Sequence, residues 1–189
     1  MCGIVGYVGK NNVLPVLING LKALEYRGYD SAGVAVVLDG KILCQKSKGH
    51  VENLEKSLNA ADFSSNIGIA HTRWATHGVP SENNAHPHAD CSSKIYLVHN
   101  GIIENYKELK KYLSDKGHIF KSDTDTESIA HLIEDFMKDG SDFKSAFLNA
   151  LKMLKGAYAL GVIESKNPET LYAARFSSPL VIGVGDNEN

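Results

Sequence analysis

The second residue of the chain is a cysteine, Met1-Cys2-Gly3-Ile4-Val5-Gly6. With Met1 in place, Cys2 is an ordinary residue near an end. With Met1 removed, the same residue carries a thiol and an α-amine within a few bonds of each other. Four further polar stretches fall between apolar runs: Tyr26-Arg27-Gly28-Tyr29-Asp30-Ser31, His71 to Gly78, Asn84-Ala85-His86-Pro87-His88, and His99-Asn100-Gly101. A fifth, Thr124-Asp125-Thr126-Glu127, opens a helical pattern. Loops and strand ends are where a rigid scaffold commonly carries function.

Asn100-Gly101 has two readings. One is a tight turn after a strand. The other is an oxyanion site, since an Asn amide and the next backbone N–H can point at one oxygen. Thr124-x-x-Glu127 reads as a capping box, with Asp125 in the first turn favoured by the helix dipole. An acidic group at such a junction can also hold a substrate ammonium. Arg73, at a strand end beside Trp74, reads either as a surface ion pair or as a bidentate grip on a carboxylate. An Arg for a carboxylate and an Asp for an ammonium would together fit the head group of an amino acid.

Five of the eight histidines lie between His71 and His99, which raises the question of metal. The spacing argues against it, because no H-E-x-x-H or similar two-ligand helix motif occurs among them. His86-Pro87-His88 reads as a stiff extended element, a gate or a structural loop. Cys2, Cys44 and Cys91 are odd in number and form no C-x-x-C pair, so neither a disulfide framework nor a zinc site is indicated. No metal and no cofactor are expected.

The elements that must position these groups follow from periodicity. Ile4–Val8 reads as a strand. A helix capped at Asn11 or Asn12 carries Leu14, Leu17, Ile18, Leu21 and Leu24 on one face, with Gly28 as its stop. Val34–Leu38 and Ile42–Gln45 form a hairpin around Asp39-Gly40. Ile67–Ala70 and Ile95–Val98 are buried strands. Helices are expected over about Asn105–Lys116 and Asp125–Lys138 and within Asp142–Lys155. A hairpin of Ala157–Glu164 and Thr170–Ala174 and a last strand, Leu180–Val184, follow. Runs of strands and runs of helices suggest an α+β chain with antiparallel sheets.

The chain has 189 residues, 43% hydrophobic and 22% charged, enough for one domain with a sizeable core. A formal net charge of −2 without a basic block implies neither nucleic acid nor an anionic membrane as partner. No apolar run approaches a membrane span, and no secretion signal opens the chain. A cytoplasmic setting is the expectation.

Cys-Gly-Ile-Val-Gly, the stretch Leu24 to Gly33 containing Tyr-Arg-Gly-Tyr-Asp-Ser, His71 to Gly78, Asn84 to His88, His99 to Tyr106 and Thr124 to Glu127 together resemble the glutaminase domain of the glucosamine-6-phosphate synthases. These are the isomerising glutamine:fructose-6-phosphate amidotransferases. The resemblance runs to Ser178-Pro179-Leu180-Val181-Ile182-Gly183. It implies an N-terminal-nucleophile hydrolase fold, a four-layer αββα sandwich of two antiparallel sheets. It also implies removal of Met1 and a nucleophilic Cys2. A free α-amine titrates near ~7.7–8.0 and the thiol near ~8.5, so the amine can take the thiol proton at neutral pH. Asn100 and Gly101 would hold the oxyanion. Arg73 would bind the α-carboxylate of L-glutamine and Asp125 its α-ammonium. Trp74, Thr76 and His77 would line the pocket, with Arg27 and His86 in support. The family pairs this unit with a sugar-phosphate domain that uses fructose 6-phosphate, in a protein expected to be a homo-oligomer. No candidate for that domain lies in residues 1–189, and the unit is expected to be short of its last strands.

Overall fold

The computed structural model describes residues 2–74 and 78–189. The first strand, β1 (Gly3–Val8), leads into α1 (Val13–Leu24), whose N-cap is Asn12; its side chain accepts from Leu14 N at 3.1 Å. The helix stops four residues before Gly28. A single 3-10 turn, Glu25–Arg27, fills the gap, and Gly28 is extended (φ −178°) rather than a left-handed cap. Gly28 is demanded by proximity instead. A Cβ there would lie 2.7 Å from the Arg73 carbonyl carbon and 2.8 Å from Trp74 N.

The hairpin forms as the sequence predicts, with longer arms: β2 (Ser31–Leu38) and β3 (Lys41–Lys48) pair antiparallel around Asp39 (φ 50°) and Gly40 (φ 71°). A short helix that the periodicity does not announce, α2 (Val51–Ser57), follows; only Val51 and Leu54 of it are buried. Next come β4 (Ile67–Arg73), a two-residue β5 (His88–Ala89) and β6 (Ile95–Ile103). Three helices succeed one another: α3 (Tyr106–Asp115), α4 (Glu127–Lys138) and α5 (Phe143–Met153). The hairpin of β7 (Gly156–Glu164) and β8 (Leu171–Phe176) closes the order.

Two four-stranded antiparallel sheets result, ordered β1-β4-β2-β3 and β5-β6-β7-β8. Three apolar clusters define the layers. Leu14, Leu17 and Leu21 of α1 and Leu54 of α2 pack with Val34 and Val36 of the first sheet. Ile129, Leu132 and Ile133 of α4 and Phe147 of α5 pack with Leu97, Leu160 and Val162 of the second. Ala35, Val37, Ile67, Ile69, Val98 and Ile163 fill the space between the sheets. Alternate residues of one strand therefore serve two different cores, as the two-residue period of a strand requires. This is the four-layer αββα sandwich.

Two local expectations are corrected. Residues 180–184 form no strand: they pair with none of the described strands, and Val181 and Val184 are 90% and 84% exposed. The capping box at Thr124 does not form either. The N-cap of α4 is Thr126, without a side-chain cap bond, and Glu127 instead accepts from Lys121 N and Ser122 N, each at 2.7 Å. Thr124 turns inward to Ser122 Oγ (2.9 Å) and His88 Nε2 (3.1 Å).

Candidate active site

Strand register sets the position of Cys2. Gly3 pairs with Thr72, so Cys2 arrives beside the last residues of β4. The Trp74 backbone N–H donates to Cys2 Sγ at 3.1 Å. Burial raises the thiol above its ordinary pKa, and the Trp74 N–H pulls in the opposite direction. Such a thiol is largely protonated at neutral pH and needs a neighbouring base before it can attack.

The second sheet brings Asn100 and Gly101. Both lie inside β6, opposite Ala159 and Tyr158 of β7, so the tight-turn reading of this dipeptide fails. Asn100 Nδ2 donates to the backbone oxygen of Cys2 at 3.1 Å, joining the two sheets at the site. Gly101 has φ +136°, and a Cβ there would sit 1.9 Å from the Ala157 carbonyl oxygen. Only glycine can carry the chain through this point.

The amide of Asn100 is held in one orientation. His71 Nε2 lies 3.1 Å from the His99 carbonyl oxygen, an obligatory acceptor, so this nitrogen carries the proton. The same N–H faces Asn100 Oδ1 at 3.0 Å, which leaves Nδ2 toward Cys2. Burial pushes His71 down to about 3, so its ring is neutral at physiological pH. His86 stacks on His71 with centroids 4.1 Å apart; its Nδ1 accepts the His99 N–H at 3.2 Å, and burial holds it well below its ordinary pKa too. His71 escapes the sequence reading because its hydrogen-bond partner Asn100 lies in another sheet. Its place two residues before Arg73 on one strand face was the available signal.

Arg73, Asp125 and Cys2 line one cavity of about 300 Å³, together with Asn100, Gly101 and Thr126. Arg73 is 4% exposed and donates from Nη2 to Gly78 O at 3.2 Å, so the surface ion-pair reading does not hold. Asp125 is also buried. Its Oδ2 accepts the Ile103 N–H at 2.8 Å, which ties the loop before α4 to the end of β6. Trp74 is half-exposed at the rim, edge-on to Tyr29. Arg27 and His86 reach the cavity wall. Thr76 and His77 lie outside the described residues. The site thus joins a thiol, an amide donor, a guanidinium and a carboxyl group in a cavity large enough for an amino acid.

A family model for the glutamine amidotransferase domain matches residues 71–187. The chain belongs to this glutamine amidotransferase family. Over its whole length it is 55% identical to a glutamine–fructose-6-phosphate aminotransferase (isomerizing) of Pyrococcus horikoshii and 51% identical to that of Thermococcus kodakarensis. It spans about 31% of the length of either relative. Among solved structures, the glutamine phosphoribosylpyrophosphate amidotransferase of B. subtilis superposes with a TM-score of 0.75 at 31% identity, over 87% of this chain and 35% of that one. A class-II glutamine aminotransferase domain protein from Silicibacter pomeroyi, 19% identical with a TM-score of 0.60, shares the fold. The sandwich is therefore the N-terminal-nucleophile hydrolase fold of the glutamine amidotransferases. No described helix of this amidotransferase domain is long and apolar enough to cross a membrane.

Proposed function

We propose that residues 1–189 hydrolyse the side-chain amide of L-glutamine to glutamate and ammonia, with Cys2 as nucleophile once Met1 is removed. The ammonia serves the synthesis of glucosamine 6-phosphate from fructose 6-phosphate in a longer, homo-oligomeric cytoplasmic protein. The observation that carries this reading is the convergence of Cys2, Arg73, Asp125 and Asn100 on one small cavity. Arg73 grips the α-carboxylate and Asp125 the α-ammonium, which aims the side-chain amide at Sγ.

The α-amine of Cys2 takes the thiol proton as Sγ attacks the amide carbon. Asn100 Nδ2 and the Gly101 N–H stabilise the oxyanion. Donors fixed before the reaction cost no reorganisation when charge develops, and His71 supplies that fixation. The proton returns from the α-ammonium to the leaving nitrogen, and ammonia departs. Water then attacks the thioester, giving glutamate and the thiol.

The test is turnover of L-glutamine by chain shown by intact mass to lack Met1. Glutamate release at the wild-type protein, its loss in Cys2→Ala and retained glutamine binding by Cys2→Ala are expected. Turnover in Cys2→Ala near the wild-type rate overturns the nucleophile.

A further inference from the structure

A second constellation lies on the helical side of the second sheet, outside the cavity just described. The turn after β5 presents Cys91, the segment after α3 presents His118, and α4 presents His131 and Glu134 one turn apart. Their donor atoms, Cys91 Sγ, both Nδ1 atoms and a Glu134 carboxylate oxygen, all lie within 4.8 Å of one another. The measured edges are Sγ to His118 Nδ1 3.8 Å, Sγ to His131 Nδ1 3.5 Å, His118 Nδ1 to Glu134 Oε2 2.9 Å and His131 Nδ1 to Oε2 3.4 Å. A tetrahedron of zinc bonds of about 2.0–2.3 Å has edges of about 3.3–3.6 Å.

Outer carboxylates flank both rings: His118 Nε2 lies 3.6 Å from Asp135 Oδ1, and His131 Nε2 lies 3.4 Å from Glu127 Oε1. A metal held by both Nδ1 atoms leaves the Nε2–H groups nearest these oxygens, and outer carboxylates in that place commonly orient ligating histidines. The Cys91 thiolate and Glu134 cancel the double charge of the metal.

We infer that Cys91, His118, His131 and Glu134 form a tetrahedral site for a divalent zinc-class metal, closed by four protein ligands and structural in role. The thiol proton passes to solvent on binding, next to Cys91, which is the exposed member of the set. The metal joins the turn before β6 to the middle of α4, where His131 and Glu134 lie. Glu127, at the start of that helix, also accepts from Ser122 Oγ at 2.7 Å, and the Ser122–Thr124–His88 chain runs on toward the histidines behind the catalytic cavity. The signal is scattered over 44 residues in sequence, which is why motif spacing passes over it.

Titration of chelator-stripped chain with Co²⁺ and Zn²⁺ tests this. One Co²⁺ per chain should give the visible bands of tetrahedral cobalt and a near-ultraviolet thiolate charge-transfer band, both bleached by Zn²⁺. Cys2→Ala should keep every feature. Cys91→Ser should lose the charge-transfer band and weaken zinc binding beyond the roughly 10–100-fold typical of a lost outer carboxylate. In the wild-type chain, Zn²⁺ should protect Cys91 from alkylation as read by peptide mass. No tetrahedral cobalt spectrum, a spectrum unchanged in Cys91→Ser, or one lost in Cys2→Ala overturns the site.

Discussion

His71 Nε2 stands 3.0 Å from Asn100 Oδ1, and this one hydrogen bond decides which end of the Asn100 amide faces Cys2. The proton is on Nε2 because the His99 carbonyl shares it, and burial keeps the ring from taking a second one. In the proposed mechanism His71 acts through Asn100, as a positioning residue.

Replacing His71 by Phe keeps a ring under His86 and removes the donor. The kcat for glutamine should fall toward the ~10²–10³-fold loss typical of one missing oxyanion donor, with KM nearly unchanged. Asn100→Ala should fall by a similar factor. The double variant should lose little beyond the single ones, because both act on one amide. Full additivity would show that His71 works elsewhere.

Asp125→Asn preserves an oxygen for the Ile103 N–H while removing the charge. Charged hydrogen bonds contribute roughly 1.5–3 kcal/mol, so KM for glutamine should rise by about 10–100-fold, more than kcat falls. An unchanged KM returns Asp125 to a purely structural role.

Two glycines in the left-handed region should respond differently to alanine. Gly40→Ala meets no atom within 4 Å and should cost only the backbone strain, about 1–2 kcal/mol. Gly101→Ala adds a collision with the Ala157 carbonyl 1.9 Å away. Urea denaturation should show a clearly larger loss at Gly101, with glutamine turnover lost as well.

Acid should unfold the protein from just below neutrality. Burial lowers His71, His86 and His88, so the unfolded chain binds protons that the folded chain refuses. Their contribution is complete above the ordinary histidine pKa of 6.5. It is lost as pH falls from there toward about 3 for His71. His86 and His88 act in the same direction, since burial lowers both well below the ordinary histidine value. Denaturant midpoints at pH 7.5 and 5.5 should differ accordingly. Equal midpoints would mean that these rings accept protons in the folded state.

The residues decide a good deal by themselves. Period-two and period-3.6 patterns place β1, α1, the Asp39-Gly40 hairpin and the three later helices, because burial of one face per element is a local property of the order of residues. The resemblance built on Cys2, Tyr26–Ser31 and His71–Gly78 also reaches the correct family and fold.

What the sequence leaves open are contacts between segments far apart along it. Asn100-Gly101 reads locally as a turn, and only the partner β7 shows that a strand continues through it. Thr124-x-x-Glu127 has capping-box spacing, but His88 and Ser122 compete for those side chains and win. Residues 180–184 are an apolar run that reads as a strand, yet none of the described strands pairs with them. The tautomer of His71 and the meeting of Cys91 with His118, His131 and Glu134 arise only where sheet register and helix packing bring distant donors within a few ångströms. Spacing encodes what one element does; the tertiary structure alone decides which elements share a site.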